Sequence, residues 1–439
     1  MAHYKCNTMK KIISFFIISL ILLSCRQQPV TNPKDYAIYL QEQPNTHLQQ
    51  INDELSFWKN RLAGTPGDII AESKIAGLLT KRFAYSGNIK EVHEADSLYR
   101  VVNTINHINS SGTYRSLAAN CITQHRFLQA QQYIDSALAL GDDKYLTVLM
   151  EFDVAMELGN RYRARKALNS LADKSAFEYL IREAKYKDHV EGKQDEAIKL
   201  MEQAYVKIKD NPAPSMYLWI KSNLGDLYAH ANRYRESYAC YLEVLKIDPH
   251  YYHALKGIAW LAFSHDKNVA NAQKIVAYLQ QRHPVPDYEL LLSQMAAFKH
   301  DSAAAHSHIE KFMTITHNKL YGGMYNKYLF TIAANELNDA TQSLQLSRQE
   351  VQHRPTPEAF SWLAFAQYKN GQIDSAMRTA RLYVLNKCFE PDALFYIGKV
   401  YQAAGKKKMA QQLLHDAYNG SYELGPVMSN HIREALNDL

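Results

Sequence analysis

The chain has 439 residues, 21% of them charged, and a formal net charge of +6. Acids and bases are interspersed, so no basic nucleic-acid-binding footprint is visible, and the short run Lys406-Lys407-Lys408 reads as a solvated helix start. Five cysteines stand far apart with no CxxC between them, which argues against both a zinc site and a thiol redox motif.

Met9-Lys10-Lys11 precedes an apolar run from Ile12 to Leu23, followed by Ser24 and Cys25. The run is shorter than the ~20 apolar residues a bilayer span needs. A charged start, an apolar stretch of this length and a small residue before the cut describe a secretory signal over residues 1–25, with Met9 as its natural start. Leu22-Leu23-Ser24-Cys25 also resembles the bacterial lipobox. The resemblance implies cleavage before Cys25 and lipidation of that cysteine by acyl chains such as palmitate, hence a membrane-held lipoprotein. Loss of residues 1–25 removes Lys5, Lys10 and Lys11 and no acid, leaving +3. No aspartate follows Cys25 and no acidic run follows it. By analogy with bacterial sorting signals this favours the outer membrane, and a periplasm-facing protein over a surface-exposed one.

Residues 26–45 are polar, carry Pro29, Pro33 and Pro44, and read as a flexible tether. Ile51, Leu55, Trp58 and Leu62 then mark one face of a helix within 46–68, ended by Gly64, Pro66 and Gly67. From residue 69 small residues recur in clusters. Leu117-Ala118 goes with Ala130 and Ala137, Gly159 with Ala164 and Leu168, and Gly192 with Ala197 and Ala204. Leu224-Gly225 and Tyr228 are followed by Ser237, Tyr241 and Pro249. Leu291-Leu292 leads to Ala304 and Leu329, then Ala333 and Leu346. Near the end the period becomes explicit. Pro357, Ala359, Leu363, Ala364, Gly371 and Ala376 map at an offset of 34 onto Pro391, Ala393, Ile397, Gly398, Gly405 and Ala410.

This pattern resembles the tetratricopeptide repeat (TPR) family. The resemblance implies an all-α fold, a right-handed superhelical solenoid of about ten helix-turn-helix units over 69–425. The units near 69–103, 252–284 and 322–355 are degenerate. Gly87, Gly159, Gly192, Asn232, Gly371 and Gly405 take the inter-helix turns, where a positive φ is needed. Gly225, Ala364 and Gly398 allow close approach of the second helix. Val427, Ile432, Ala435, Leu436 and Leu439 make 426–439 a terminal capping helix, with Pro426 suited to its first position. Cys121 and Cys240 fall among apolar residues and read as buried thiols.

In this family the concave groove is formed by the first helix of each pair. Mapping those positions yields a candidate partner-binding surface of Arg182, Lys185, His189, Trp219, Asp226, Lys256, Trp260, Phe263, Lys327, Phe365, Lys369, Phe395 and Lys399. Aromatic rings among lysines suit a peptide or a sugar; the same rings also suit packing between units. Catalytic motifs are missing from the sequence: there is no HExxH, GxSxG or glycine-rich phosphate loop. His300, His306 and His308 spread around a helix axis and do not converge as ligands. The expectation is therefore a non-enzyme without cofactor or metal. It is a lipid-anchored TPR scaffold of the bacterial envelope, binding envelope proteins or peptides and no nucleic acid. The alternative is a lipoprotein that captures a glycan or peptide nutrient. That class resembles this one in its helices, but carries long insertions that this chain lacks.

Overall fold

The computed structural model describes residues 28–105, 110–210 and 213–439, so the signal segment and Cys25 lie outside the described residues. The described chain is all α, with no strand. The helix Thr46–Gly64 packs on Ile69–Ser86, which opens the first of ten helix pairs; the tenth is Pro391–Ala403 with Lys407–Asn419. Each helix packs most closely on the one before or after it, as in a solenoid.

Each pair turns at one residue of positive φ: Gly87, His125, Gly159, Gly192, Asn232, Lys267, His300, Asn338, Gly371 and Gly405. Past the turn, an amide bonds back to the preceding helix, as Arg233 N does to Tyr228 O at 2.7 Å and Lys406 N to Tyr401 O at 2.9 Å. This is a left-handed C-terminal cap. The six turns read from sequence are all of this kind, and four more use His, Lys or Asn. His300 is exposed and holds a φ of 60°. His300→Gly is therefore expected to stabilise the chain by about 0.5–1 kcal/mol, because the left-handed conformation penalises a Cβ. Paired urea melts measure this, and a destabilised variant would contradict it.

Side-chain caps start the following helices. Asn268, Asp301 and Asp339 accept from the amides of Asn271, Ala304 and Gln342, while Pro214, Pro357 and Pro391 occupy first-turn positions. The small residues do what close packing requires. A Cβ on Gly225 would lie 2.7 Å from the Tyr241 ring, and one on Gly257 would overlap the same ring. Tyr241 is thus held between two glycines of successive pairs, with its hydroxyl donating to Asp226 at 2.6 Å.

Three helices end in a π turn: Leu261–His265, Ile332–Glu336 and Ala380–Val384. The first two fall in units whose repeat pattern is degenerate.

The superhelix winds tightly enough that residues roughly two hundred positions apart meet along a seam. Arg354 Nε donates to Glu157 O at 3.0 Å, His189 Nδ1 lies 2.9 Å from Glu390 Oε1, and His93 Nε2 lies 2.8 Å from Leu320 O. Gly159 abuts the Pro355 backbone so closely that a Cβ would lie 3.0 Å from its carbonyl oxygen.

Two sequence expectations are corrected here. Residues 28–44 are not a free tether. Asp266 accepts from Val30 N, Thr31 N and Thr31 Oγ1 at 2.8, 2.9 and 2.6 Å, and Asn32 N donates to Tyr238 Oη at 3.1 Å. Tyr36 follows into the core at 2% exposure, so the segment is a strap across the middle pairs. The last helix also begins earlier than residue 426. It runs Ser421–Asn437, broken at Gly425 (φ 80°, ψ 170°) just before Pro426. Its Tyr422 carbonyl accepts from Trp260 Nε1 at 3.1 Å and Ser264 Oγ at 2.7 Å, so the helix closes the seam as well as capping the end.

Candidate functional site

The first helices of successive pairs are joined by ion pairs about one repeat apart in sequence. Arg182 meets Asp153 at 2.7 Å, Lys185 meets Glu157 at 2.9 Å and His253 meets Asp226 at 2.8 Å. Lys256 meets Asp287 at 3.0 Å, and Lys327 meets Glu358 at 2.6 Å and also reaches Asp392, two repeats on, at 2.9 Å. The spacing follows from the repeat, since equivalent positions on neighbouring first helices are neighbours in space. The inner wall is thus a ladder of mixed charge.

The ladder perturbs its members. Burial pushes the Asp188 carboxyl up. Burial also acts to raise Glu157, but the adjacent Lys185 and Arg354 charges outweigh it and hold it low. Lys327 is pulled down by burial and lifted more strongly by Asp392 and Glu358, so it stays charged.

Four of the candidate residues come together. Arg182, Lys185, His189 and Trp219 line one cleft of about 510 Å³ with Asp153, Asp188, Asn223, Met201 and Leu227. Arg182 is fixed by the carbonyls of Leu149 and Glu178, both at 3.1 Å, besides Asp153. Trp219 is 39% exposed and meets Phe177 edge-on at 6.3 Å. Through Lys185 and His189 this cleft continues into a second of about 230 Å³, bounded by Arg354, Glu358 and Glu390 across the seam.

The other candidates are elsewhere. Phe263, Phe365 and Phe395 are 0%, 4% and 7% exposed and belong to the core, not to a groove surface. Trp260 is partly buried, its N–H spent on Tyr422 O and its ring against Phe263 at 5.7 Å. Lys256 lies in a separate recess lined by Tyr85, Tyr251, Tyr252 and Tyr325. Lys399 donates to Gln402 at 2.6 Å, and burial pushes its pKa down. Lys369 sits 5.9 Å from the centre of the Phe365 ring.

The histidine trio is dispersed: His308 pairs with Glu289 at 2.6 Å, His306 with Glu310 at 3.3 Å, and His300 occupies a turn. Among the described residues no group of three or more His, Cys, Asp or Glu is placed to hold a metal ion. Sequence reading missed Asn223 and Asp188. Both were within reach, as Asn223 lies one helical turn beyond Trp219 and Asp188 one turn beyond Lys185.

The cleft and its ladder define the class: an all-α helical-repeat protein of TPR-like pairs with a polar inner cleft. No protein-family model matches the chain, and no curated protein matches it in sequence. Among solved structures it is similar to PilW, a widely conserved type IV pilus biogenesis factor. The identity is 18% and the TM-score 0.37, over 46% of this chain and 92% of PilW. It is also similar to the human IFIT1 dimer with PPP-AAAA, at 14% identity and TM-score 0.44, over 75% of this chain and 76% of that one. A tetratricopeptide repeat protein from Parabacteroides merdae ATCC 43184 aligns at 16% identity and TM-score 0.34, over 60% and 97%. Likenesses this distant carry no function across, and the fold class rests on the chain's own pairs and turns.

Proposed function

We propose that this protein is a lipid-anchored scaffold of the bacterial cell envelope, held by Cys25, that binds an extended segment of a partner protein in the Trp219 cleft. The observation that carries the reading is Trp219 itself. A large ring is left at the inner wall, beside an arginine and a lysine already oriented by their own ion pairs. Exposed aromatic and arginine side chains in a desolvated recess are the usual anchors of protein recognition. The ladder supplies preformed donors and acceptors for a peptide backbone, so little ordering is needed on binding. The likeness of Leu22-Leu23-Ser24-Cys25 to a lipobox supports the anchor and the envelope location, with the outer membrane favoured.

The test is chemical crosslinking in native envelopes, followed by purification of the wild-type chain and the Trp219→Ala variant. Trp219→Ala is expected to weaken capture of a co-purifying partner by about thirtyfold or more, the loss of a hot spot of ~2 kcal/mol. Its own stability should barely change. Equal capture by both proteins would refute the cleft. Binding of a glycan alone, lost in Trp219→Ala with no protein partner, would replace the scaffold by a nutrient-capture protein. Cys25→Ser is expected to move the chain from the membrane to the soluble fraction.

A further inference from the structure

A polar recess of about 390 Å³ lies between the turn at Lys267 and the last helix, with Ser264 in its wall. Lys267 and Arg433 both line it, with hydroxyl-bearing Tyr418, Ser421 and Ser429 in the wall. No carboxylate lines it. This is unlike the inner wall, where Lys185, Lys256 and Lys327 each meet an acid. The nearest acid in sequence, Asp266, is engaged by the strap residues Val30 and Thr31 and by His265.

Two further features converge on the recess. Lys267 is the inter-helix turn residue of its pair, with φ 57°. Among the ten turns of the described residues, Gly, Asn or His fills the other nine; Lys267 alone places a long cationic chain in a conformation that L side chains resist. Strain kept at one position of a repeat, where glycine serves elsewhere, points to a use for the side chain. The last helix restarts at Pro426, and Pro426 and Ser429 are in the wall, so the amino-terminal end of that segment borders the recess with its partial positive charge. Lys267 is depressed first by burial and then by the like charge of Arg433, and its ammonium donates to the Ser264 carbonyl at the edge of the recess.

We propose that this recess is a phosphate-binding site, taking a phosphate mono- or diester between Lys267 and Arg433 at the restart of the last helix. The phosphate has two sources, a lipid headgroup or a free phosphate compound. The strap leads back from Asp266 toward the proposed anchor, with Cys25 only six residues before Thr31, about 20 Å of chain at most. A membrane headgroup is therefore close to hand if that anchor holds, while the site itself does not depend on it.

The experiment uses the full chain in neutral detergent micelles. Inorganic phosphate is titrated in one arm and micelle-borne phosphatidylglycerol in the other, with phosphatidylcholine as control, and binding is read by ³¹P line broadening. Saturable binding by the wild type is expected to fall at least tenfold in Lys267→Gly and in Arg433→Gln. Lys267→Gly should unfold at the same or a higher denaturant concentration, because it places glycine where other pairs have it, so its loss of binding would not reflect misfolding. Arg433 is exposed and provides a second variant that spares the turn. Binding of phosphatidylglycerol alone assigns a lipid headgroup; equal binding of inorganic phosphate assigns a soluble ligand. No saturable binding in either arm, or undiminished binding by both variants, overturns the site.

Discussion

Phe263→Ala is expected to destabilise the protein by about 3–5 kcal/mol, the range for removing a fully buried aromatic ring. Phe263 has no exposed surface and lies between Trp260, at 5.7 Å, and Phe298, at 5.8 Å, both edge-on. It sits in the large central core cluster with buried residues of several other helices. Its pocket cannot collapse easily, because the seam helix closes it from the other side through Trp260 and Ser264. Trp219→Ala is the contrasting control: that ring is 39% exposed and its loss leaves no comparable cavity. The pair of variants separates the two kinds of aromatic that the sequence presents alike. Urea unfolding followed by far-UV ellipticity measures it, and a Phe263→Ala midpoint close to that of wild type would place the ring outside the core.

The reason the two rings look alike in sequence is instructive. Lys256 and Phe263 are seven residues apart, and a continuous α-helix would put both on the groove face. The chain instead enters a π turn at Leu261, whose wider winding carries the following residues off that face and into the core. Phe365 and Phe395 fail differently. They occupy first-helix positions as expected, but are drawn into one buried cluster with Ile432 and Ala435 of the last helix. Such a contact depends on the superhelical pitch, which no local pattern encodes. The same holds for the strap and for the whole seam. What the sequence does carry is the repeat itself: Gly371 and Gly405 in equivalent turns, Gly225 under the Tyr241 ring, and the arginine and lysine of one first helix reaching acids one repeat earlier. Trp219, Arg182 and Lys185 were legible because they use only neighbouring pairs.

The seam should also make stability depend on pH, through Glu423. Its carboxyl is pushed up to about 7, first by burial and then by the nearby charges of Glu390, Asp392 and Asp188, with His230 at 3.5 Å only partly compensating. The ordinary value is 4.5. Between the two values the folded state holds a proton that the unfolded chain has released. The stability from this group is therefore complete below 4.5 and is lost as pH rises through about 7, roughly 3 kcal/mol in all. Two neighbours modulate the profile. Burial acts to raise Glu390, but His189 and Lys327 hold it at about 2, so its contribution is present above 4.5 and lost as pH falls toward 2. His189 is raised against burial by Glu390, so its contribution is full below 6.5 and fades as pH rises beyond its folded value. Glu423→Gln keeps the shape and removes the proton. The variant is expected to gain stability over wild type at about pH 8 by roughly 2–3 kcal/mol, and to gain little at about pH 5. Urea midpoints of both proteins at the two pH values decide it. If the variant is no more stable than wild type at the higher pH, Glu423 does not carry a proton in the seam, and the closure between the two turns of the superhelix rests on Trp260, Ser264 and the Glu157–Arg354 contact instead.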